Sequence, residues 1–449
     1  MPDRPLATIL SAYAVYPLPN SAEALVNAAL VDALRAHRRV ALITSAAGYQ
    51  PVRTVDPAAD CGVTTYADNS AADATAVGRL AGWLTQPKQH PLGAVARVVD
   101  RVRVSRRLAP LPEAAWSRRA AATILRVLAD ERGAAVVWAR GTPPQSLAAA
   151  QQAFRARPFP LVVNYNDPMP VCLLAGRRYS AATPLLDTIQ HRQNAWLAAH
   201  AHAWTFPAQG VADLMIAAAA LDPARCFVIP HLLPDPPAAS PMAVPPGRWI
   251  VYAGIFYPAL FTPAVKAGLA AYAQAGGTLR FLWILKQPAP AVCAWIRESL
   301  PGALVLTDQT PAAVAAQVAP AAAVLIVDDH AHGALLRNKV VQAACSDKPI
   351  LALAPPTTTT GRVVAAAGGL VADPTSAEAV VAGLRRLETL LAGGPFQPDG
   401  RRRQVQARFA AERVIGDSLT VLDYARRRFA WTTAPHGAAP PPPDLERWP

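Results

Sequence analysis

Short runs of β-branched and apolar residues alternate along the chain with longer Ala/Leu-rich stretches. This is the pattern of βα units around parallel sheets. In the first half it predicts strands at 7–15, 39–45, 134–140, 160–166 and 202–206, and helices at 22–36, 116–131 and 144–156. In the second half it predicts strands at 248–254, 279–285, 303–307, 322–327 and 349–354. Helices at 263–275, 289–299, 311–318, 338–346 and 376–392 lie between and after them.

Between these halves the segment LLPDPPAASPMAVPPG (232–247) is rich in proline, and the strand–helix rhythm restarts after it. It therefore reads as a linker. The expected organisation is a first doubly wound domain over 1–232, a linker over 233–247, a second over 248–432 and a Pro-rich, disordered tail over 433–449. One long helix, 401–429, is expected to close the second domain. Two parallel-sheet domains imply a ligand cleft at the carboxyl ends of their strands.

The 449 residues are 52% hydrophobic and 16% charged, which excludes a disordered chain and supplies two sizeable cores. Lys+Arg exceed Asp+Glu by 43 to 30, yet only five of the 43 are lysines, a bias toward Arg that fits a GC-rich genome. Five cysteines are scattered without a C-x-x-C, and no His pair has metal spacing, so neither a disulfide framework nor a structural zinc is expected. The N-terminal MPDRPLATILSAYAVYPLP has charges and prolines where a signal peptide needs an unbroken apolar core. Prolines 258 and 263 interrupt the uncharged stretch 249–265, which reads as a strand and loop rather than a membrane span. A cytoplasmic location is expected.

An ordered set of motifs carries a family resemblance. In the first half these are the Trp-containing helix, strand and turn of 108–150, FPLVVNYNDPMP (159–170) and CFVIPHLLPD (226–235). In the second half they are RWIVYAGIFYP (248–258), LRNKVVQAACSDKPILALAPP (336–356) and GGLVADPTSAEAV (368–380). Together they resemble the retaining GT-B glycosyltransferases of family 4. The resemblance implies two Rossmann-like domains, an acceptor domain followed by a donor domain, with a nucleotide sugar as donor substrate. It implies a glycan or lipid-linked acceptor, no metal and no resident cofactor. Three departures stand out. The family's Glu-x7-Glu pattern falls on Ala334 and Gln342, its usual Arg after the first Gly loop is missing, and His231 stands where the hinge usually has Asn.

On the donor side the resemblance points to Gly254, Lys286, His330, His332, Arg337, Lys339 and Gln342. Gly254 would let backbone N–H groups approach a diphosphate. Lys339 opens a helix, where a cation and unpaired N–H groups suit the same anion. Arg337 and Lys286 offer further positive charge, Gln342 can hydrogen-bond a ribose hydroxyl, and the two histidines can reach a sugar or phosphate. On the acceptor side are Asn20, Ser21 and Asp167, for which helix and turn capping is the competing reading. No metal ligands and no catalytic residue are assigned.

The stretch 101–150 holds nine basic residues against three acidic ones, following Arg97. The block over 97–119 fits either a solvated face or peripheral contact with an anionic membrane. No nucleic-acid module accompanies it. Transferase is the leading reading, with a non-catalytic scaffold of a glycan-assembly pathway and a nucleotide-sugar epimerase as alternatives.

Overall fold

The computed structural model describes residues 7–12, 22–44, 60–67, 112–132, 135–141, 144–169, 173–174, 183–232, 247–255, 260–286, 288, 290–307, 309–394, 396–434 and 438–445. Two compact units emerge: Met1–Pro234 with Val414–Trp448, and Asp235–Arg413.

The first unit is built on seven parallel strands in the order β3-β2-β1-β4-β5-β6-β7. They are β1 Ala7–Ser11, β2 Val40–Thr44, β3 Val63–Ala67, β4 Ala135–Arg140, β5 Leu161–Asn164, β6 Ala203–Phe206 and β7 Cys226–Val228. All residues of β1, β2, β4, β5 and β6 are buried, as strands covered on both faces must be. Helices Ala22–Arg35, Pro112–Asp130, Gln145–Ala156, Thr183–His200 and Gln209–Ala219 accompany the strands. The last two of these helices, and the edge strands β3 and β7, had no expected counterpart.

Six parallel strands form the second unit, in the order β10-β9-β8-β11-β12-β13. These are β8 Trp249–Gly254, β9 Arg280–Leu285, β10 Leu304–Thr307, β11 Ala323–Val327, β12 Ile350–Leu353 and β13 Leu370–Ala372. A core of Tyr252, Phe261, Leu269, Trp283, Leu325, Leu351 and Leu384 packs on one face of the sheet. Helix starts here follow side-chain chemistry. Thr262 and Thr310 accept backbone N–H bonds ahead of prolines at the first helical positions of Pro263–Gln274 and Pro311–Val318. Thr358 and Ser376 cap Thr359–Ala366 and Ala377–Ala392 in the same way.

The single helix expected over 401–429 is two helices, Gly400–Phe409 and Ala411–Thr433, separated by Ala410 at φ −60°, ψ 139°. Their anchors differ. Arg402, fully buried, donates to the carbonyls of Ala367, Ser346 and Lys348 in the second unit. The second helix belongs to the first unit rather than closing the second. There Tyr424 packs edge-on to Phe227, Phe429 meets His202, and Arg38 pairs with Asp423 at 2.9 Å. Residues 438–445 carry no helix or strand. Among the described residues no helix is long and apolar enough to cross a membrane.

Candidate functional site

In the second sheet the chain runs outward from β8 through β9 to β10, then returns so that β11 pairs with the other side of β8. The carboxyl ends of β8 and β11 are therefore a topological switch point, where open parallel sheets bind ligands. Gly254 ends β8 and Asp328 follows β11.

Asp328 is the organiser. Its buried carboxylate accepts from Arg337 Nε at 3.1 Å and Nη2 at 2.9 Å, from the Asp329 N–H at 3.0 Å, and from the Thr360 hydroxyl. Burial works against the Arg337 charge, but Asp328 outweighs it and holds the guanidinium charged more firmly than usual. Arg337 thus has a dedicated counter-ion.

Lys339 differs. It lies in the first turn of helix Asn338–Cys345, and its Nζ donates to the Tyr252 hydroxyl at 2.9 Å while standing 4.4 Å from the centre of that ring. Burial, then the Arg337 charge, push its amine down to about 7, against the pull of Asp328. Gly254 has φ +131°, a conformation side-chain-bearing residues rarely adopt, and a Cβ there would sit 3.7 Å from Lys339 Nζ. Backbone and amine meet at the switch point.

Lys286 follows β9, its N–H bonded to the Gly254 carbonyl at 3.2 Å. Asp329 accepts from the His332 N–H at 2.9 Å and contacts its Nδ1 at 2.8 Å, so that imidazole is held inside its own loop. His330 is exposed, as is Gln342, three residues beyond Lys339 on the same helix. Ala334 presents a methyl where the resemblance has an acid, and its carbonyl accepts from Thr359 Oγ1 at 3.0 Å. The structure thus brings Gly254, Lys286, Arg337 and Lys339 to the strand ends. Tyr252 and Asp328 were not among the expected site residues, because a tyrosine inside an apolar strand and an Asp-Asp pair give no signal of what they will touch.

In the first unit Asp167, half-buried, follows β5, and its charge adds to the burial that raises the Glu23 pKa. Asn20 and Ser21 lie outside the described residues, as does 97–107 of the basic block. Of that block, Arg118 and Arg119 are exposed. Arg140, counted in the stretch 101–150, is instead buried at 4% exposure and donates to Asn27 Oδ1 at 2.8 Å and Asn166 Oδ1 at 3.3 Å. Glu23 accepts from Asn27 and Asn166 and stands 4.0 Å from Arg140. A charge at the end of an apolar strand, AAVVWAR, was the available sign of this cluster.

No family model matches the sequence, and no curated protein matches it. Solved structures do match in three dimensions along nearly the whole chain. A glycosyltransferase from Rickettsia africae is 11% identical, with 94% of this chain and 98% of that one covered at a TM-score of 0.57. A sucrose-phosphate synthase from Thermosynechococcus elongatus is 13% identical, covering 94% and 99%, also at 0.57. The fold is GT-B. A Listeria monocytogenes chain assigned as a UDP-N-acetylglucosamine 2-epimerase is similar at 0.50, with 12% identity and coverage of 97% and 98%. The GT-B likeness is one of architecture, and the roles of residues rest on the geometry above.

Proposed function

We propose that the chain is a glycosyltransferase of the family 4 type. It would move a sugar from a nucleotide-sugar donor to a glycan or lipid-linked acceptor with retention at the anomeric carbon. The observation that carries this is Lys339 beside Gly254 at the switch point of the second sheet. Arg337 is already neutralised by Asp328, so Lys339 is the cation that answers the donor diphosphate. Gly254 lets the β8 backbone come close to the same group. As the bond to the sugar breaks, charge grows on the diphosphate, and a cation with aligned N–H donors in a partly dry site stabilises it. Gln342, exposed on the same helix, takes a ribose hydroxyl. Transfer needs no resident cofactor in this reading.

A second reading is non-catalytic. Ala334 and Gln342 occupy both positions of the acidic pair, so the donor could bind without being used. Calorimetric titration with UDP, GDP and ADP, followed by donor hydrolysis, separates the two. Binding with turnover supports the transferase; binding alone supports the scaffold. No binding of any of the three at millimolar concentration overturns both donor-site readings. The basic face ending at Arg118 and Arg119 is further proposed to touch anionic membranes. Salt-sensitive co-sedimentation with anionic but not neutral vesicles would support that.

A further inference from the structure

Tyr252 is a core residue with a polar tip. It is 1% exposed, and its ring packs against Phe261 and Trp283 with centres 5.8 Å and 5.4 Å away. On β8 it lies two residues before Gly254, so both belong to one face of the sheet. Gly254 puts no side chain beyond the phenol. Lys339 Nζ takes that place, 3.7 Å from where a Cβ would stand.

The direction of the hydrogen bonds at the phenol is fixed. Its single proton goes to the Ile255 carbonyl at 2.7 Å. Toward Lys339 the oxygen can therefore only accept, and Nζ stands 2.9 Å from it and 4.4 Å from the ring centre. An accepting oxygen and a π-face both favour an ammonium over a neutral amine. The charged groups that act on Lys339 are Arg337, which repels it, and Asp328, which attracts it. Asp328 spends its hydrogen bonds on Arg337, Thr360 and the Asp329 N–H instead.

We infer that Tyr252 is a positioning residue for diphosphate binding, its hydroxyl holding the Lys339 ammonium beside the Gly254 backbone and tying it to the chain at Ile255. The inference rests on the donor reading and adds to it the residue that aims the charge. One proton spent on Tyr252 leaves the other ammonium protons for an anion. Without the hydroxyl the amine loses a fixed direction and part of its preference for the charged form.

The test is Tyr252→Phe, which keeps the ring face and its packing and deletes both hydrogen bonds. The chain has only five lysines, so each can be titrated by NMR in full-length protein carrying isotope-labelled lysine, with Lys339→Met assigning the signal. In the free protein the Lys339 midpoint should fall by about one pH unit in Tyr252→Phe. UDP affinity at neutral pH should fall by about threefold to tenfold, with the decline toward high pH starting correspondingly lower. The two substitutions should not add, so the double variant should bind UDP no more weakly than Lys339→Met. A tyrosine that only fills the core would move neither the midpoint nor the pH profile. If Tyr252→Phe does not fold, wild type labelled at the tyrosine Cζ carbons decides. One Cζ should then shift with the Lys339 midpoint and lose that step in Lys339→Met. An unmoved midpoint in folded Tyr252→Phe, additive losses in the double variant, or no tyrosine carbon following Lys339 would each overturn the inference. If wild type binds no UDP, the donor reading fails and the role in diphosphate binding fails with it, whereas UDP binding with an unmoved midpoint sinks Tyr252 alone.

Discussion

Lys339 Nζ lies 2.9 Å from the hydroxyl of Tyr252, a residue 87 positions earlier in the chain, and over the face of the same ring. The amine is thus held by a neutral phenol and π-face while Arg337 keeps the carboxylate of Asp328. That division makes Lys339 a titrating group near neutral pH.

Diphosphate affinity should follow that titration. With the amine near 7 in the free protein, only its charged form offers full attraction, so affinity should be level at acid pH and fall above neutrality. The slope should approach about tenfold per pH unit over the rise, and binding should take up protons. Calorimetry of UDP in buffers of different ionisation heat reads the uptake directly. Lys339→Met should remove the slope, and Lys339→Ala should cost about 1.5–3 kcal/mol of affinity at pH 6, the scale of a hydrogen bond to a charged group. A flat wild-type profile would sink the assignment of Lys339.

The same shift acts on stability, with a defined sign. Unfolded, the amine returns to its ordinary value of 10.5, so between 7 and 10.5 the unfolded chain holds more protons than the folded one. Stability attributable to Lys339 therefore rises with pH across that window, and the cost is fully present below 7. Denaturation of wild type and Lys339→Met at pH 6.5 and 9 should show the variant gaining more at the lower pH.

Gly254→Ala should destabilise the second unit by about 1–3 kcal/mol, the usual cost of holding a side-chain-bearing residue in a rarely populated conformation. Contact does not explain that cost, since the new methyl would meet Lys339 Nζ at an ordinary 3.7 Å. Urea unfolding checks the stability, and UDP titration should show weaker binding because the β8 backbone must move.

Asp328→Asn should be severe. It keeps the shape but removes the counter-charge from Arg337, whose side chain is only 13% exposed. Breaking a buried pair from one side costs about 3–5 kcal/mol, and the partial exposure of Arg337 places this case near the lower figure. Adding Arg337→Met should recover stability, and a double mutant no better than Asp328→Asn would argue against a charge-based cause.

Glu388 governs acid behaviour in the second unit. Burial raises its pKa, but bonds from the Tyr272 hydroxyl, the Thr278 N–H and hydroxyl, and Arg385 outweigh this and bring it down to about 2. Its contribution is present above the ordinary value of 4.5 and is lost as pH falls from there toward 2. Glu388→Gln should flatten the stability loss in that window when unfolding is followed from pH 5 to 2.

Strands buried on both faces were legible because their whole length is apolar, and all ten ranges given by the hydrophobic pattern coincide with strands, among them β1, β4, β8 and β11. The three strands without a counterpart, β3, β7 and β13, all sit at or next to sheet edges, where runs are short or half-exposed and little apolar surface is needed. The break at Ala410 was hidden for another reason: alanine favours helix, and the turn there is imposed by two helices that anchor on different units. Lys339 and Gly254 were visible through their motifs, whereas the Arg140–Glu23 cluster joins residues 117 positions apart and left only a charge ending a strand.

By itself the sequence determined the local periodicities, the helix caps, the restart after the proline-rich segment and the kinds of chemistry available. Those follow from interactions between residues a few positions apart. Only the tertiary structure decided which strands adjoin, that Asp328 belongs to Arg337 and leaves Lys339 to Tyr252, and that Arg140 meets Asn27 and Asn166. The reason is physical: the charge state of a side chain and the need of a polar atom for a partner depend on what surrounds it once water is excluded, and those surroundings come from distant parts of the chain.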